Sequence, residues 1–319
     1  MSSNLTHEIP SPIGGVPFPI DFVPSTLFSI LHALLIPIFV WRMAHPRTRT
    51  YLLIGMSIFT IERTVFYALR AYAAQHAGPR ESKALNTYFQ VTLAGGFITI
   101  GQDLMGLARA VLVNGTKGSD VLAREAKVNK DNKPDNGSDA SYLATLDLED
   151  YPRARKVIRL TMLGVTALFW VTITIGIVAS VQYSRVLKNK ADGDTVRGLW
   201  NASAAIALAL FTGLAHGAVW ACYSIPRIRR SATMWIVLIA TLVSAVPIYR
   251  LYVLRFSTTS LLSEGPGSLN STQSKTTFYI FHSTPEFLSA AILGLLDVRS
   301  VFNTGLWGDR RTRDPERRA

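Results

Sequence analysis

Seven stretches of the chain are almost continuously apolar: 22–41, 51–72, 85–113, 157–183, 196–223, 232–254 and 277–296. At about 1.5 Å of rise per residue, each is long enough to cross the ~30 Å hydrocarbon core of a bilayer as an α-helix. The pattern predicts an all-α, polytopic membrane protein, a bundle of seven transmembrane helices. The expected division is an extracellular N-terminal segment 1–21, helices one to three over 22–113, a disordered charged cytosolic loop 114–156, helices four to seven over 157–296, and a basic cytosolic tail 297–319. The second stretch is the least regular, because it carries Glu62, Arg63 and Arg70; the seventh is the shortest.

Charge sets the expected orientation. The chain has 319 residues and a formal net charge of +12, yet only 17% of its residues are charged. Soluble domains carry about 25%. The basic residues collect between the apolar stretches, which argues against a nucleic-acid partner. Twenty Lys and Arg fall in the first, third and fifth connections and the tail, and seven in the other three connections. The positive-inside rule then puts the N-terminus outside and the C-terminus in the cytosol, in the plasma membrane or an endomembrane. Two sequons, at Asn4 and Asn270, fall on the expected outside and are candidate glycosylation sites. No Lys or Arg precedes Arg42, so the first apolar stretch lacks a signal-peptide n-region and is expected to stay as a helix.

Ionisable residues within membrane spans cost about 2.5–3.5 kcal/mol each at mid-helix, so they mark where chemistry concentrates. Here they are Glu62 and Arg63 in the second stretch, Asp103 and Arg109 in the third, His216 in the fifth, Arg250 in the sixth, and His282 and Glu286 in the seventh. His282 and Glu286 are four residues apart and share a helix face. Depth makes Arg250–Glu286 and Asp103–His216 the expected pairs, with Glu62 reaching its neighbour Arg63 only by way of the flanking helix. Two readings stay open: interhelical ties, or a polar cavity that binds the head group of a ligand.

Ala205, Ala209, Gly213, Gly217 and Ala221 recur every fourth residue, a ladder that lets another backbone approach closely. The approaching helix is either a neighbour in the bundle or a second copy of the chain in a homodimer. The one cysteine, Cys222, excludes an intrachain disulfide and a Cys-based metal cluster. His32, His216 and His282 lie at different depths, which argues against a metal site. The last stretch has no Lys for a retinal Schiff base, and the acidic-Arg-aromatic and Asn-Pro-x-x-Tyr runs usual in G-protein-coupled receptors are missing. No nucleotide motif occurs, no cofactor is expected, and an enzyme reading lacks a nucleophile, base and metal set.

Several short runs carry a family resemblance. They are Ile61-Glu62 with Phe66-Tyr67 and Arg70, Gly106-Leu107-Ala108-Arg109, Ile248-Tyr249-Arg250, and Phe278-Tyr279 with Phe281 and Pro285. In these the chain resembles the fungal RTA-like proteins, the lipid-translocating exporters, as a divergent member or a sister group. It departs from them at His282, where that family often has Asp, and in placing its acidic residue after the proline, as Glu286. The resemblance implies seven spans and a role in moving or releasing a phospholipid or sphingoid base, or in tolerance to toxic amphiphiles. The alternative is a receptor-like sensor whose loop 114–156 and tail engage a cytosolic partner.

Overall fold

The computed structural model describes residues 7–123, 148–186, 190–225 and 227–309. Asn4, most of the charged loop and the arginine-rich end of the tail lie outside the described residues. Six helices are long and apolar enough to span a membrane. They are α1 (Phe22–Ala44), α2 (Ile54–Gln75), α4 (Lys83–Gly115), α5 (Pro152–Val186), α6 (Lys190–Ser224) and α7 (Arg230–Val253). A single-turn helix, α3 (Ala77–Glu81), links α2 to α4. The long helices run past the expected stretches, so α4 and α5 take up both ends of the segment read as a disordered loop.

The expected seventh helix is interrupted. Residues 272–295 are helical throughout but fall into α8 (Thr272–Phe278), a wide turn at Tyr279–Ser283 and α9 (Thr284–Leu295). Pro285 explains the interruption. It has no N–H for the regular ladder, so the turn before it widens to a π geometry. The Thr284 backbone N–H and hydroxyl both bond to the carbonyl of Tyr279, the latter at 2.9 Å. A short α10 (Val298–Val301) follows.

The central helix is α4, which touches α2, α5, α6, α7 and α9. Of its most apolar window 67% is buried, against 22–50% for the other five long helices. A helix apolar all round and covered all round is what that position requires. The outer helices instead point large apolar side chains outward. On α1 these are Val23, Leu27, Ile30 and Leu34; on α5 they include Leu160, Leu163 and Trp170. Charged and polar side chains such as Arg63, Arg70, Arg250 and Glu286 are fully buried. Apolar outside and charged inside is the arrangement a bilayer selects. The fold is that of an integral, multi-pass helical membrane protein.

The N-terminal segment does not trail free. Ile9–Pro10 (β1) pairs antiparallel with Ser257–Thr258 (β2), which follows α7. The segment then plugs that end of the bundle. Gln90 exchanges hydrogen bonds with the backbone of Ile13, and Tyr183 donates to the carbonyl of Pro10. Gly14 and Gly15 have φ of 74° and 62°, a left-handed turn that suits glycine and aims their carbonyls inward. Arg70 and Lys275 donate to the Gly14 carbonyl at 2.5 and 3.1 Å. Asp21 closes the cluster, 2.9 Å from Arg70, 2.8 Å from Lys275 and 2.9 Å from the Tyr279 hydroxyl.

Asp21 is fully buried and is the carboxylate that answers both cations. Asp21→Asn should therefore destabilise the protein by about 3–5 kcal/mol, the cost of breaking a buried ion pair. Thermal unfolding in mild detergent measures it, and a shift near zero would mean the plug is held by its backbone bonds alone.

Candidate functional site

Two large apolar clusters fill the bundle, one towards each end, and a small third one joins Leu112, Ala221 and Ile225. Phe66, Phe89, Leu93 and Phe278 belong to the cluster beside the N-terminal plug. Phe59, Phe97, Met105 and Leu293 belong to the other. A layer of charged side chains lies between them. Arg63 is at its centre, its guanidinium 4.9 Å from the ring of Phe59 and 5.2 Å from that of Phe66.

Arg63 ties three helices together. Its Nε and Nη2 donate to the two oxygens of Glu286 at 2.9 and 3.0 Å, a bidentate pair to α9. Nη2 also donates to the Thr92 carbonyl on α4 at 3.2 Å. Nη1 donates to Glu62 at 3.0 Å. Sequence neighbours on a helix do not face each other, but the Arg63 stem is long enough to bring its head back beside Glu62. The pair is thus direct, where the sequence suggested a flanking helix between them. α4 admits the guanidinium at Gly96, where a Cβ would run into Nη2 of Arg63.

The expected Arg250–Glu286 pair is not formed. Both oxygens of Glu286 are taken by Arg63, and Arg250 donates from Nη1 to the Leu93 carbonyl at 2.8 Å, with its charge over the Phe97 ring. His282 sits in the wide turn, 3.7 Å from Glu286, against the rings of Tyr249, Phe97 and Phe278. Among the described residues, Nε and Nη2 of Arg250 and both ring nitrogens of His282 and His32 make no hydrogen bond. The layer therefore holds buried hydrogen-bonding capacity beyond its own internal needs.

Asp103 and His216 do not meet either. Asp103 accepts the backbone N–H of Met56 at 2.6 Å. Met56 is in the first turn of α2, where N–H groups have no intrahelical acceptor and the helix dipole favours an anion. His216 is exposed on α6 and bonds to its own helix at the Thr212 carbonyl. Arg109 reaches Asp309 at 3.4 Å, beside Arg159 at 2.9 Å, so the chain after α10 is tied to α4 and α5. Asn270 is buried: its oxygen accepts from Val16, and its amide nitrogen, the atom a glycan would take, donates to the carbonyls of Leu261 and Ser263.

Glu62 differs from the rest of the layer. It lies beside the outward stripe Ile58, Ile61 and Val65 of α2, and its side chain keeps 28% of its surface exposed while Glu286 keeps none. Tyr88 on α4 donates to its other oxygen at 3.3 Å. The result is a carboxylate near the midpoint of a membrane helix, held from behind by Arg63 and open to the side between α2 and α4. It accepts hydrogen bonds and attracts cations. Asp21, Lys275 and Tyr279 were not among the expected site residues. The buried Arg70 was the signal for them, since a guanidinium in a span demands an acid at its depth.

Compared with protein-family models, curated proteins and solved structures, the chain matches nothing.

Gly96→Ala should displace Arg63 and lower stability by about 1–3 kcal/mol, the usual cost of overpacking. Gly198→Ala on α6, where an added Cβ meets nothing within 4 Å, is the control and should be neutral or slightly stabilising. Equal melting temperatures for the two variants would mean that Arg63 can move aside without loss.

Proposed function

We propose that the chain is a seven-helix membrane protein, without enzymatic activity, that binds an amphipathic lipid and moves it or eases its release. In this reading 272–295 is the seventh span, the N-terminus is outside and the C-terminus cytosolic, in the plasma membrane or an endomembrane. The observation that carries the reading is Glu62, partly exposed at the lipid-facing side of α2. A carboxylate there is costly, and two neighbours hold it in place. The resemblance to the RTA-like proteins points the same way.

The surroundings of Glu62 favour one head-group chemistry. Nε, Nη1 and Nη2 of Arg63 already donate to carboxylates and a carbonyl, which disfavours a phosphate at this point. An ammonium or hydroxyl donor suits the Glu62 oxygens, as a sphingoid base would supply. Its chain would then lie along the apolar stripe of α2, in the bilayer.

Reconstituted liposomes test this with fluorescent sphingoid-base and phospholipid analogues. The wild type should move the sphingoid-base analogue above the protein-free rate. Glu62→Gln should slow it about tenfold, which is a loss of ~1.4 kcal/mol, in a protein that still folds and loses less thermal stability than Glu286→Gln, because Glu62 is partly exposed. No movement by the wild type would favour the sensor reading, and unaltered movement by the variant would remove Glu62 from the site.

A further inference from the structure

A second feature lies at the other end of the bundle, where α4 and α6 end and α5 and α7 begin. There these four helices leave a groove of 440 Å³. Its lining is apolar except for Thr161 and Thr233. Three members of the small-residue ladder of α6, Ala209, Gly213 and Gly217, form one side, while Ala221 at its end is buried against Leu112 of α4. Ala209, Gly213 and Gly217 are exposed, and a Cβ on either glycine meets nothing within 4 Å.

Its dimensions suit one hydrocarbon chain. Ala209 and Trp220 both line it, and their separation on a helix is about 16 Å. That is about the hydrocarbon depth of one leaflet, half of ~30 Å. The medium that reaches an apolar opening inside a bilayer is itself hydrocarbon.

The rim adds a head-group level. Trp220 and Tyr223 are 62% and 86% exposed, the residue types that gather at the membrane–water boundary. Arg153 and Arg230 each lie one turn before a lining residue, Val157 and Thr233. Both are exposed, and among the described residues neither has an ion-pair partner. We propose that this groove holds one acyl chain of an anionic phospholipid from the adjoining leaflet, its phosphate drawn to Arg153 and Arg230. The site shares no residue with the one at Glu62, so either can fail alone.

The test reconstitutes the full chain in vesicles of mixed phosphatidylglycerol and phosphatidylcholine, extracts it in mild detergent and reads it by native mass spectrometry. We expect one phosphatidylglycerol per monomer. Gly213→Leu or Gly217→Leu should lower the bound fraction about tenfold with unchanged thermal stability. Arg153→Gln with Arg230→Gln should return the bound lipid to the bulk ratio. A lipid-free monomer, lipid at the bulk ratio in the wild type, or full retention in the leucine variants would overturn the proposal. So would a dimer that the leucine variants dissociate, since a second copy would then be the occupant. Should the leucine variants not fold, the Trp220 share of fluorescence quenching, taken as wild type minus Trp220→Phe, decides. Brominated phosphatidylglycerol must then quench more than brominated phosphatidylcholine, and equal quenching overturns the proposal.

Discussion

A guanidinium buried at mid-bundle cannot be left without acceptors, and the packing around Arg63 follows from that constraint. Two carboxylates and one backbone carbonyl meet its nitrogens, and aromatic rings cover it above and below. Meeting those demands fixes the rotation of α2, brings α9 close enough for a bidentate bond, and requires a glycine on α4. Glu286 is held bidentately by Arg63, and Arg250 donates to a carbonyl and lies over a ring instead. Because Glu62 is the outer member of the triad, a partly exposed acid is stabilised where an isolated one would not be.

A second charged cluster repeats the same logic at the plugged end. Arg70 and Lys275 carry two positive charges into a dry region, and the chain answers with Asp21 and with carbonyls turned inward by two left-handed glycines. This ties the N-terminal segment to α2 and α8. Along the bundle, charged and apolar layers alternate. Apolar burial alone discriminates weakly between helix pairings in a bilayer, since lipid is as apolar as the core. The charged layers supply specificity that the apolar clusters cannot.

The six long helices were legible in the sequence because a bilayer forces long apolar runs on any span. The pairings were not. Depth along the axis pointed to Arg250–Glu286, and the rotation of each helix brings Arg63 to Glu286 instead. Asp103 was readable as a buried acid, yet its partner is a backbone N–H at a helix end, which no side-chain pattern announces. Asp21 was assigned to the N-terminal segment because it stands just before the first apolar stretch. The wide turn at 279–283 traces to Pro285, visible in the sequence, but its effect on helix geometry depends on how Thr284 bonds. The small-residue ladder was visible too; that it faces outward follows from packing, not from spacing.

The most direct test of the account is a double-mutant cycle on unfolding stability between Arg63→Gln and Glu286→Gln. Each single change should cost about 3–5 kcal/mol, because each leaves a buried charge without its partner. The double variant should cost about 2–3 kcal/mol less than their sum, the coupling of a pair in direct contact. Additive losses would contradict the account, since Arg63 and Glu286 would then not hold the bundle together through each other.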